Sequence, residues 1–218
     1  MTKYLTILLL LITLPTLGQS GYCFCSEDSS MNEGMFTCDT TILSNNAKLY
    51  WQYNCDRIWL TLENANGQKI VIDEASAEIY DIFYRGSFQL IKEFNKSILF
   101  QNGCPANGPC IYTLIDKNTG NKIEEFDQLI CIDTEDGKYN FDFIVYLSDT
   151  TDHLIIYYVD SNKTLQVPFE QKKLKEIVPE YQFEEMSLNK NILTLLYVLG
   201  DDKKRTLNID LNDKKYSR

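Results

Sequence analysis

The fold is decided by residues 111–126, which read Ile-Tyr-Thr-Leu-Ile-Asp-Lys-Asn-Thr-Gly-Asn-Lys-Ile-Glu-Glu-Phe. An apolar run, Ile111–Ile115, is followed by the turn-forming residues 118–120 and by a second run, Lys122–Phe126. Short runs rich in Ile, Leu, Tyr and Phe that flank a Gly-containing turn are typical of a β-hairpin. This stretch therefore predicts two antiparallel strands.

The same rhythm recurs along the rest of the chain. Four segments each have the pattern of a small meander of strands: Lys48–Ile72, Ser97–Phe126, Phe141–Phe169 and Ile192–Leu211. Their markers for the second turn, Gly67, Gly120, Asn162 and Asn212, are separated by 53, 42 and 50 residues. Propeller blades repeat about every 40 to 50 residues, so this spacing favours one blade per segment.

Two kinds of segment stand outside the four meanders. Residues 88–91 and 128–132 are short apolar runs that predict an additional strand in front of a meander. Residues 73–86 and 170–185 break the rhythm. The first predicts a short helix or a long crossover, and the second predicts one or two helical turns that end at Pro179.

The turn at Asp116–Gly120 also carries a resemblance to a known family. The segment Tyr112–Ile123 contains Asp-x-x-Thr-Gly and resembles the repeats of quinoprotein-like β-propellers. The resemblance implies a repeat geometry, but the family's quinone ligands have no counterparts in this chain, and no cofactor is expected. The combined prediction is an all-β fold of antiparallel meander repeats, propeller-like with about four blades. A β-sandwich or a curled antiparallel sheet is the alternative.

The first twenty residues have the features of an export signal. Lys3 precedes the apolar run Leu5–Leu14, and Pro15 and the small residues Gly18 and Ser20 follow. These features predict a secretory signal peptide over residues 1–20, with a cut after Gly18 as the alternative. The apolar run is half of the roughly 20 residues that span a bilayer. We therefore expect an exported protein, periplasmic or secreted, with a single all-β domain over residues 21–218 and no membrane span after cleavage.

All seven cysteines follow the predicted cleavage site, at positions 23, 25, 38, 55, 104, 110 and 131. Disulfides persist in an exported protein, and an odd number leaves one cysteine over. Two prolines between Cys104 and Cys110 allow the chain to fold back, which predicts a bridge between these two residues. Cys23 and Cys25 are too close to pair with each other comfortably, so they are expected to reach Cys38, Cys55 or Cys131. Lipidation of Cys23, which would anchor the protein to a membrane surface, is the alternative explanation of the odd number.

The charge and composition of the chain argue against some classes of function. The chain of 218 residues has 31 acidic and 21 basic residues, a formal charge of -10 and a sequence pI of about 4.6. Nucleic-acid binding needs a basic face, so this composition argues against it. His153 is the only histidine, which excludes metal sites built on several imidazoles. The sequence also contains no nucleophile elbow that His153 could serve as a catalytic base. Enzyme activity is therefore left open, with a non-catalytic role favoured.

Carboxylates supply the remaining candidates for chemistry. Adjacent pairs at Glu124-Glu125, Glu184-Glu185 and Asp201-Asp202 are interpreted as solvated charges, because neighbours on a strand point to opposite faces. The oxygen-rich turn between Asp149 and Asp152 makes these two residues weak candidates for calcium, although hairpin turns use the same residue types for backbone reasons. No metal site is predicted beyond them.

The tyrosines of the chain favour a role in binding a protein partner. The chain has 14 tyrosines, and aromatic residues cluster along two predicted strands. An exposed tyrosine on a β-scaffold is a frequent anchor of a protein interface. We therefore predict a partner-binding role for five residues: Tyr50, Trp51, Tyr53, Tyr157 and Tyr158.

Three functional hypotheses follow. The first is an exported, non-catalytic binding protein that recognises a protein partner, and its net charge favours a basic one. One form of it is an immunity-type protein that masks a basic toxin. The second is a hydrolase that uses carboxylates, with or without calcium. The third is a structural component of the cell surface. The sequence does not predict the oligomeric state.

Overall fold

The computed structural model describes residues 38–54, 56–76, 88–103, 109–127, 129–130, 141–169 and 179–216. The predicted signal peptide, its cleavage site and Cys23, Cys25, Cys55, Cys104 and Cys131 lie outside these residues. The predictions that concern them remain predictions.

The described residues form four antiparallel sheets, each made of strands that are consecutive in the chain. Sheet 1 contains β1 (Thr41–Ile42), β2 (Lys48–Tyr53), β3 (Arg57–Glu63) and β4 (Lys69–Ser76). Sheet 2 contains β5 (Gln89–Glu93), β6 (Ser97–Gln101), β7 (Tyr112–Asp116) and β8 (Lys122–Phe126). Sheet 3 contains β9 (Phe143–Leu147), β10 (His153–Tyr158) and β11 (Lys163–Pro168). Sheet 4 contains β12 (Phe183–Asn189), β13 (Ile192–Val198) and β14 (Lys204–Asp210).

The sheets pack against one another in chain order. One apolar cluster joins Leu60 and Leu62 of sheet 1 to Ile98 and Phe100 of sheet 2. A second joins sheet 2 to sheet 3, and a third joins sheet 3 to sheet 4. Face-to-face packing of successive meanders is the arrangement of propeller blades. The predicted all-β, propeller-like fold with four meander sheets is confirmed.

Strand β6 shows how the sequence produces this stacking. Side chains alternate between the two faces of a strand. Ile98 and Phe100 therefore pack on sheet 1, while Leu99 packs in the cluster shared with sheet 3. All three side chains are fully buried. A strand that is covered on both faces needs an unbroken apolar run, which is what Ser97–Gln101 provides.

Most of the predicted turn residues lie in turns of the structure. Gly67, Gly120 and Asn162 all have a positive φ, of 78°, 69° and 53°. Glycine and asparagine are the residues that tolerate this conformation best. The fourth marker, Asn212, is wrong as the turn between two strands, because it follows β14, the last strand. In sheet 4 the turn between β13 and β14 contains Asp202 instead, with a φ of 57°.

The segments that interrupt the rhythm are partly described. Residues 73–76 belong to β4, so the interpretation of 73–86 as a helix or crossover is wrong at its start, and residues 77–87 lie outside the described part. Pro179–Gln182 form a 3-10 turn, and the next residues form β12. Of the predicted strand at 128–132, Leu129 forms an isolated bridge with Tyr146. Across the described ranges, no helix has the length and apolar character needed to cross a membrane.

Candidate functional site

The aromatic residues predicted from sheet 1 occupy both of its faces. Tyr53 is buried, at 4% exposure, in a small cluster with Ile58. Trp51 is half-buried on the same face, which packs towards sheet 2. Tyr50 lies on the opposite face, and its hydroxyl donates to Glu63 Oε2 at 3.2 Å. Only Tyr50 and Trp51 thus keep accessible surface for a partner.

The two tyrosines predicted from sheet 3 also differ in their surroundings. Tyr157 is buried between sheets 2 and 3, and its hydroxyl donates to Asn162 Oδ1 at 2.8 Å. Tyr158 is half-buried on the other face of β10, in edge contact with Phe143 at 5.7 Å between ring centroids. Burial raises the pKa of both tyrosines. The partner-binding role of the five aromatic residues remains a prediction.

A second tyrosine, Tyr146, lies close to Tyr157 at the boundary of sheets 2 and 3. The ring of Phe126 contacts both, with centroid distances of 5.1 Å to Tyr146 and 5.4 Å to Tyr157. Burial, followed by the nearby charges of Glu124, Asp149 and Asp127, raises the pKa of Tyr146 to about 12. We call Glu124, Asp127, Tyr146, Asp149 and Tyr157 the acidic tyrosine cluster.

The strands explain why these groups converge. Glu124 and Phe126 are two positions apart on β8, so both side chains point towards sheet 3. Tyr146 on β9 and Tyr157 on β10 lie on the face of sheet 3 that meets sheet 2. Asp149 lies in the turn that joins β9 to β10. The charges of Glu124, Asp127 and Asp149 therefore act on Tyr146, and that of Glu124 also acts on Tyr157.

The carboxylates of the cluster lack a compensating cation. Within the described part of the chain, Glu124, Asp127 and Asp149 form no ion pair. The adjacent Glu125, by contrast, forms an ion pair with Lys122 at 3.1 Å. Like charges in one place repel one another, and a cation supplied from outside would relieve that repulsion. The cluster is therefore a place where a positive group of a partner is favoured.

The two weak calcium candidates, Asp149 and Asp152, lie in the turn between β9 and β10, and their role remains a prediction. Asp152 Oδ1 accepts hydrogen bonds from Thr150 Oγ1, from Ser148 Oγ at 3.0 Å and from His153 Nδ1 at 2.9 Å. Thr150, followed by His153, holds the pKa of Asp152 well below its ordinary value. Among the residues that the structure describes, no three His, Cys, Asp or Glu side chains are grouped closely enough to hold a metal ion.

His153 lines a cleft between the outer strands of sheets 3 and 4. The cleft has a volume of about 490 Å³ and is lined by His153, Gln166, Val167, Pro168, Leu207, Lys215 and Tyr216. Its two basic groups already have partners, since His153 contacts Asp152 and Lys215 Nζ lies 2.7 Å from Asp213. The cleft thus offers neither a pair of carboxylates nor a surplus of positive charge.

A second recess, of about 410 Å³, is lined by Val71, Ile72, Asp73 and Glu74. Burial raises the pKa of Asp73. Asp73 and Glu74 are adjacent on β4, so their side chains point to opposite faces of sheet 1. A pair of carboxylates acting on one glycosidic bond has to face the same substrate, which this arrangement does not provide.

Two of the seven cysteines are described, Cys38 and Cys110, and both are disulfide-bonded. Cys110 directly precedes Ile111, whose backbone exchanges hydrogen bonds with Asn102 and Gly103 at the end of β6. The predicted partner of Cys110, Cys104, lies outside the described residues, so the pairing itself remains a prediction.

Sequence reasoning named one member of the acidic tyrosine cluster as an interface residue, Tyr157, and gave Asp149 a different role. It missed Tyr146 and interpreted Glu124 only as a solvated charge. The available signal was the alternation of Glu124 and Phe126, which places a charge and a core aromatic on one face of β8. Which sheet that face meets is a tertiary property that the pattern alone does not contain.

Comparisons with known proteins add little to this description. No protein-family model matches the chain, and no curated protein matches it. Among solved structures, it is similar to BamB from Moraxella catarrhalis, with 8% sequence identity and a TM-score of 0.31. The match covers 76% of this chain and 47% of that chain, so this chain spans less than half of the BamB structure.

Proposed function

We propose that this chain is an exported, non-catalytic binding protein that recognises a basic protein partner at the acidic tyrosine cluster. The observation that carries the proposal is the set of three carboxylates near Tyr146, namely Glu124, Asp127 and Asp149, which form no ion pair in the described structure. Glu124 also lies near Tyr157. An immunity-type protein that masks a basic toxin is the specific form of this proposal that we favour.

The cluster has the chemistry for a lysine or arginine side chain. Carboxylates attract the cation, and the face of a tyrosine ring adds a cation–π contribution of about 0.5–2 kcal/mol when the cation approaches it. Tyr146 is protonated at neutral pH, as any tyrosine with an ordinary pKa of 10 is, and its pKa of about 12 extends this to alkaline pH. Its hydroxyl thus remains neutral beside the three carboxylates and adds no further negative charge to the cluster.

The charge of the whole chain supports the same partner. With a formal charge of -10, the protein attracts a basic partner over distances beyond direct contact. Such attraction raises the association rate and weakens as salt screens the charges, with a Debye length of about 8 Å at 0.15 M ionic strength. Salt-sensitive association is therefore an expected property of the complex.

The test compares two double variants with equal changes of charge. Glu124→Gln with Asp149→Asn removes two of the three negative charges of the cluster, whereas Asp56→Asn with Asp160→Asn removes two exposed negative charges outside it. Each protein is immobilised, exposed to an extract of the source cells' envelope and washed at several salt concentrations. A captured protein is identified by mass spectrometry, purified and titrated against all three baits.

We expect a basic protein that binds the wild type and the control variant equally and binds the cluster variant at least about tenfold more weakly, since close charge pairs contribute 1.5 kcal/mol or more. Raising the salt concentration should slow its association. The proposal is wrong if no specific protein is recovered, if the recovered protein binds the cluster variant as tightly as the wild type, or if its association does not depend on salt.

A further inference from the structure

The four sheets form a stack with two ends, because every sheet packs on the next one in chain order. In the described part of the chain, the apolar clusters join sheet 1 to 2, sheet 2 to 3 and sheet 3 to 4, and none of them joins sheet 4 to sheet 1. Sheet 1 therefore has a face turned away from sheet 2, and sheet 4 has a face turned away from sheet 3. We call these the sheet 1 end face and the sheet 4 end face.

The register of β12, β13 and β14 identifies the sheet 4 end face. Leu193, Leu195 and Ile209 point towards sheet 3 and are fully buried. The alternate positions on β13 point the other way, and they are Ile192, Thr194, Leu196 and Val198. Ile192 is 39% exposed, and none of these four residues belongs to a core cluster of the described structure. Ile192 is thus exposed on this face, and Thr194, Leu196 and Val198 are half-buried along the same central strand.

The sheet 1 end face has a complementary character. Tyr50 and Gln52 on β2 lie opposite Thr61 and Trp59 on β3, and Val71 on β4 lies opposite Thr61. Gln52 Oε1 accepts hydrogen bonds from Trp59 Nε1 at 3.1 Å and from Thr61 Oγ1 at 2.8 Å. These bonds hold the polar atoms of the face in place, and Thr61 is buried, at 2% exposure. The Arg57 guanidinium lies 4.8 Å from the centroid of the Trp59 ring, so Val71, which is 48% exposed, is the main apolar surface of the face.

The charges at the margins of the two faces are of opposite sign. The sheet 1 end face carries Lys48, Arg57 and Lys69 with only Glu63 and Glu74. The sheet 4 end face carries Glu185 and Asp210, and at its margin Glu184 pairs with Lys204 at 2.7 Å. The sheet 1 end face therefore has one positive charge in excess, and the sheet 4 end face has two negative charges in excess.

We propose that two copies of this chain associate head to tail, with the sheet 4 end face of each copy packed on the sheet 1 end face of the other. The contact repeats between two chains the face-to-face packing that the three junctions within one chain already use. Two such contacts related by a twofold axis close a ring of eight sheets, which is within the range of about four to eight blades known for propellers. The proposal is independent of the acidic tyrosine cluster, which lies between sheets 2 and 3.

The size of the faces favours a closed pair over a single contact. Three strands of about seven residues cover roughly 15 by 24 Å, or about 350 Å² on each face. One junction would bury about 700 Å² in total, below the range of about 1,200–2,000 Å² for stable protein interfaces, whereas two junctions reach about 1,400 Å². A pair that forms both contacts at once is therefore expected to be more stable than an open chain of copies.

The test is the molar mass in solution, measured by sedimentation equilibrium on the exported, disulfide-intact protein at concentrations up to about 100 μM, where interfaces of micromolar affinity are populated. Leu196→Glu changes the sheet 4 end face, and Val71→Glu changes the sheet 1 end face. Ile123→Glu is the control, since Ile123 is 37% exposed and lies on β8, outside both faces. Circular dichroism and thermal melting establish that each variant is folded.

We expect the wild type and Ile123→Glu to be dimers and the other two variants to be monomers. A monomeric wild type overturns the proposal. A dimer that survives both substitutions also overturns it. A dimer that only one of the two substitutions dissociates overturns it as well, because that result indicates that one face pairs with the same face of the other copy.

Discussion

The backbone of Gly120 lies directly against the side chain of Ile70. A Cβ atom added to Gly120 would lie 2.7 Å from Ile70 Cγ2, and Gly120 has a φ of +69°. Gly120 belongs to the turn between β7 and β8 of sheet 2, whereas Ile70 belongs to β4 of sheet 1. The close approach is one of the contacts that hold the first two sheets together.

The rest of this turn supports the same contact. Asp116 Oδ1 accepts hydrogen bonds from the backbone N–H groups of Asn118 and Thr119, at 2.9 and 2.8 Å. Asn64, in the corresponding turn of sheet 1, donates from Nδ2 to the carbonyl oxygen of Asn118 at 2.7 Å. The Asp-x-x-Thr-Gly pattern therefore shapes a turn whose glycine and carbonyl both face the neighbouring sheet.

We predict that Gly120→Ala destabilises the protein by about 2–4 kcal/mol. About 1 kcal/mol comes from the positive φ, and the overlap with Ile70 adds about 1–3 kcal/mol because the neighbouring side chain has to shift. The measurement is the free energy of unfolding from urea denaturation.

Gly67→Ala is the matched control for this prediction. Gly67 has a φ of +78°, but a Cβ added to it would meet nothing within 4 Å. We expect it to cost only about 1 kcal/mol, the contribution of the backbone conformation alone. Equal losses in the two variants would show that the contact with Ile70 contributes nothing.

Lys117 is a fully buried cation at the same boundary between sheets. Its side chain has 0% exposure, and its ammonium group forms an ion pair with Glu93 and donates to Ser44 Oγ at 3.1 Å. Ser44, in the turn after β1, donates in turn to Glu93 Oε1 at 2.7 Å. The three side chains link the turns of sheets 1 and 2.

We predict that Lys117→Met lowers the free energy of unfolding by about 3 kcal/mol. Removing one partner of a buried ion pair leaves the other charge without compensation, which costs about 3–5 kcal/mol. The lower end of this range of costs applies, because the Glu93 side chain is 29% exposed and water reaches it. Lys122→Met, which breaks the exposed pair with Glu125, is the control and should cost less than about 1 kcal/mol. A similar small loss at Lys117 would contradict this assignment.

Glu93 also makes part of the stability depend on pH. Burial acts to raise its pKa, but the hydrogen bonds from Lys117 and Ser44 outweigh burial and hold the pKa below its ordinary value of 4.5. Because the folded state prefers the ionised carboxylate, Glu93 stabilises the protein above pH 4.5. This contribution is lost as the pH falls through the pKa of the folded state.

The measurement is the difference in unfolding free energy between the wild type and Glu93→Gln, followed from pH 7 towards acid. We expect a constant difference in favour of the wild type near neutral pH and a smaller one at the acid end. A difference that stays constant below pH 4.5, or that grows, contradicts the predicted direction of the pKa shift.

The sequence predicts a strand best where clear turn residues frame its run. The bounds expected for β8, Lys122–Phe126, agree with the structure for this reason. Strand β12 was missed, since Phe183–Asn189 has charges on its exposed side and a bulge between Phe183 and Glu185. The bulge interrupts the period of two on which strand prediction depends.

The candidate site was less predictable than the fold. Alternation shows that Tyr146 and Tyr157 have one face of sheet 3 in common, but not that Glu124 of sheet 2 faces them. Likewise, Lys117 looks like an exposed turn residue in the sequence, although its side chain is fully buried. Both features arise from how the turns of neighbouring sheets meet, which local sequence patterns do not contain.

Ser97 is the residue whose replacement we expect to raise the stability of the protein, whereas the substitutions above lower it. Its side chain is 1% exposed, and among the described residues its Oγ is a buried polar atom that lacks a partner. Leaving a buried hydroxyl unpaired costs about 1–3 kcal/mol, so Ser97→Ala should stabilise the protein by about 1 kcal/mol. Thr113→Val is the contrasting variant, since Thr113 is equally buried but donates to Asn102 Oδ1 at 2.9 Å, and it should cost about 1–2 kcal/mol. A stability loss in Ser97→Ala comparable to that of Thr113→Val would mean that the Ser97 hydroxyl does have a partner, such as an ordered water molecule.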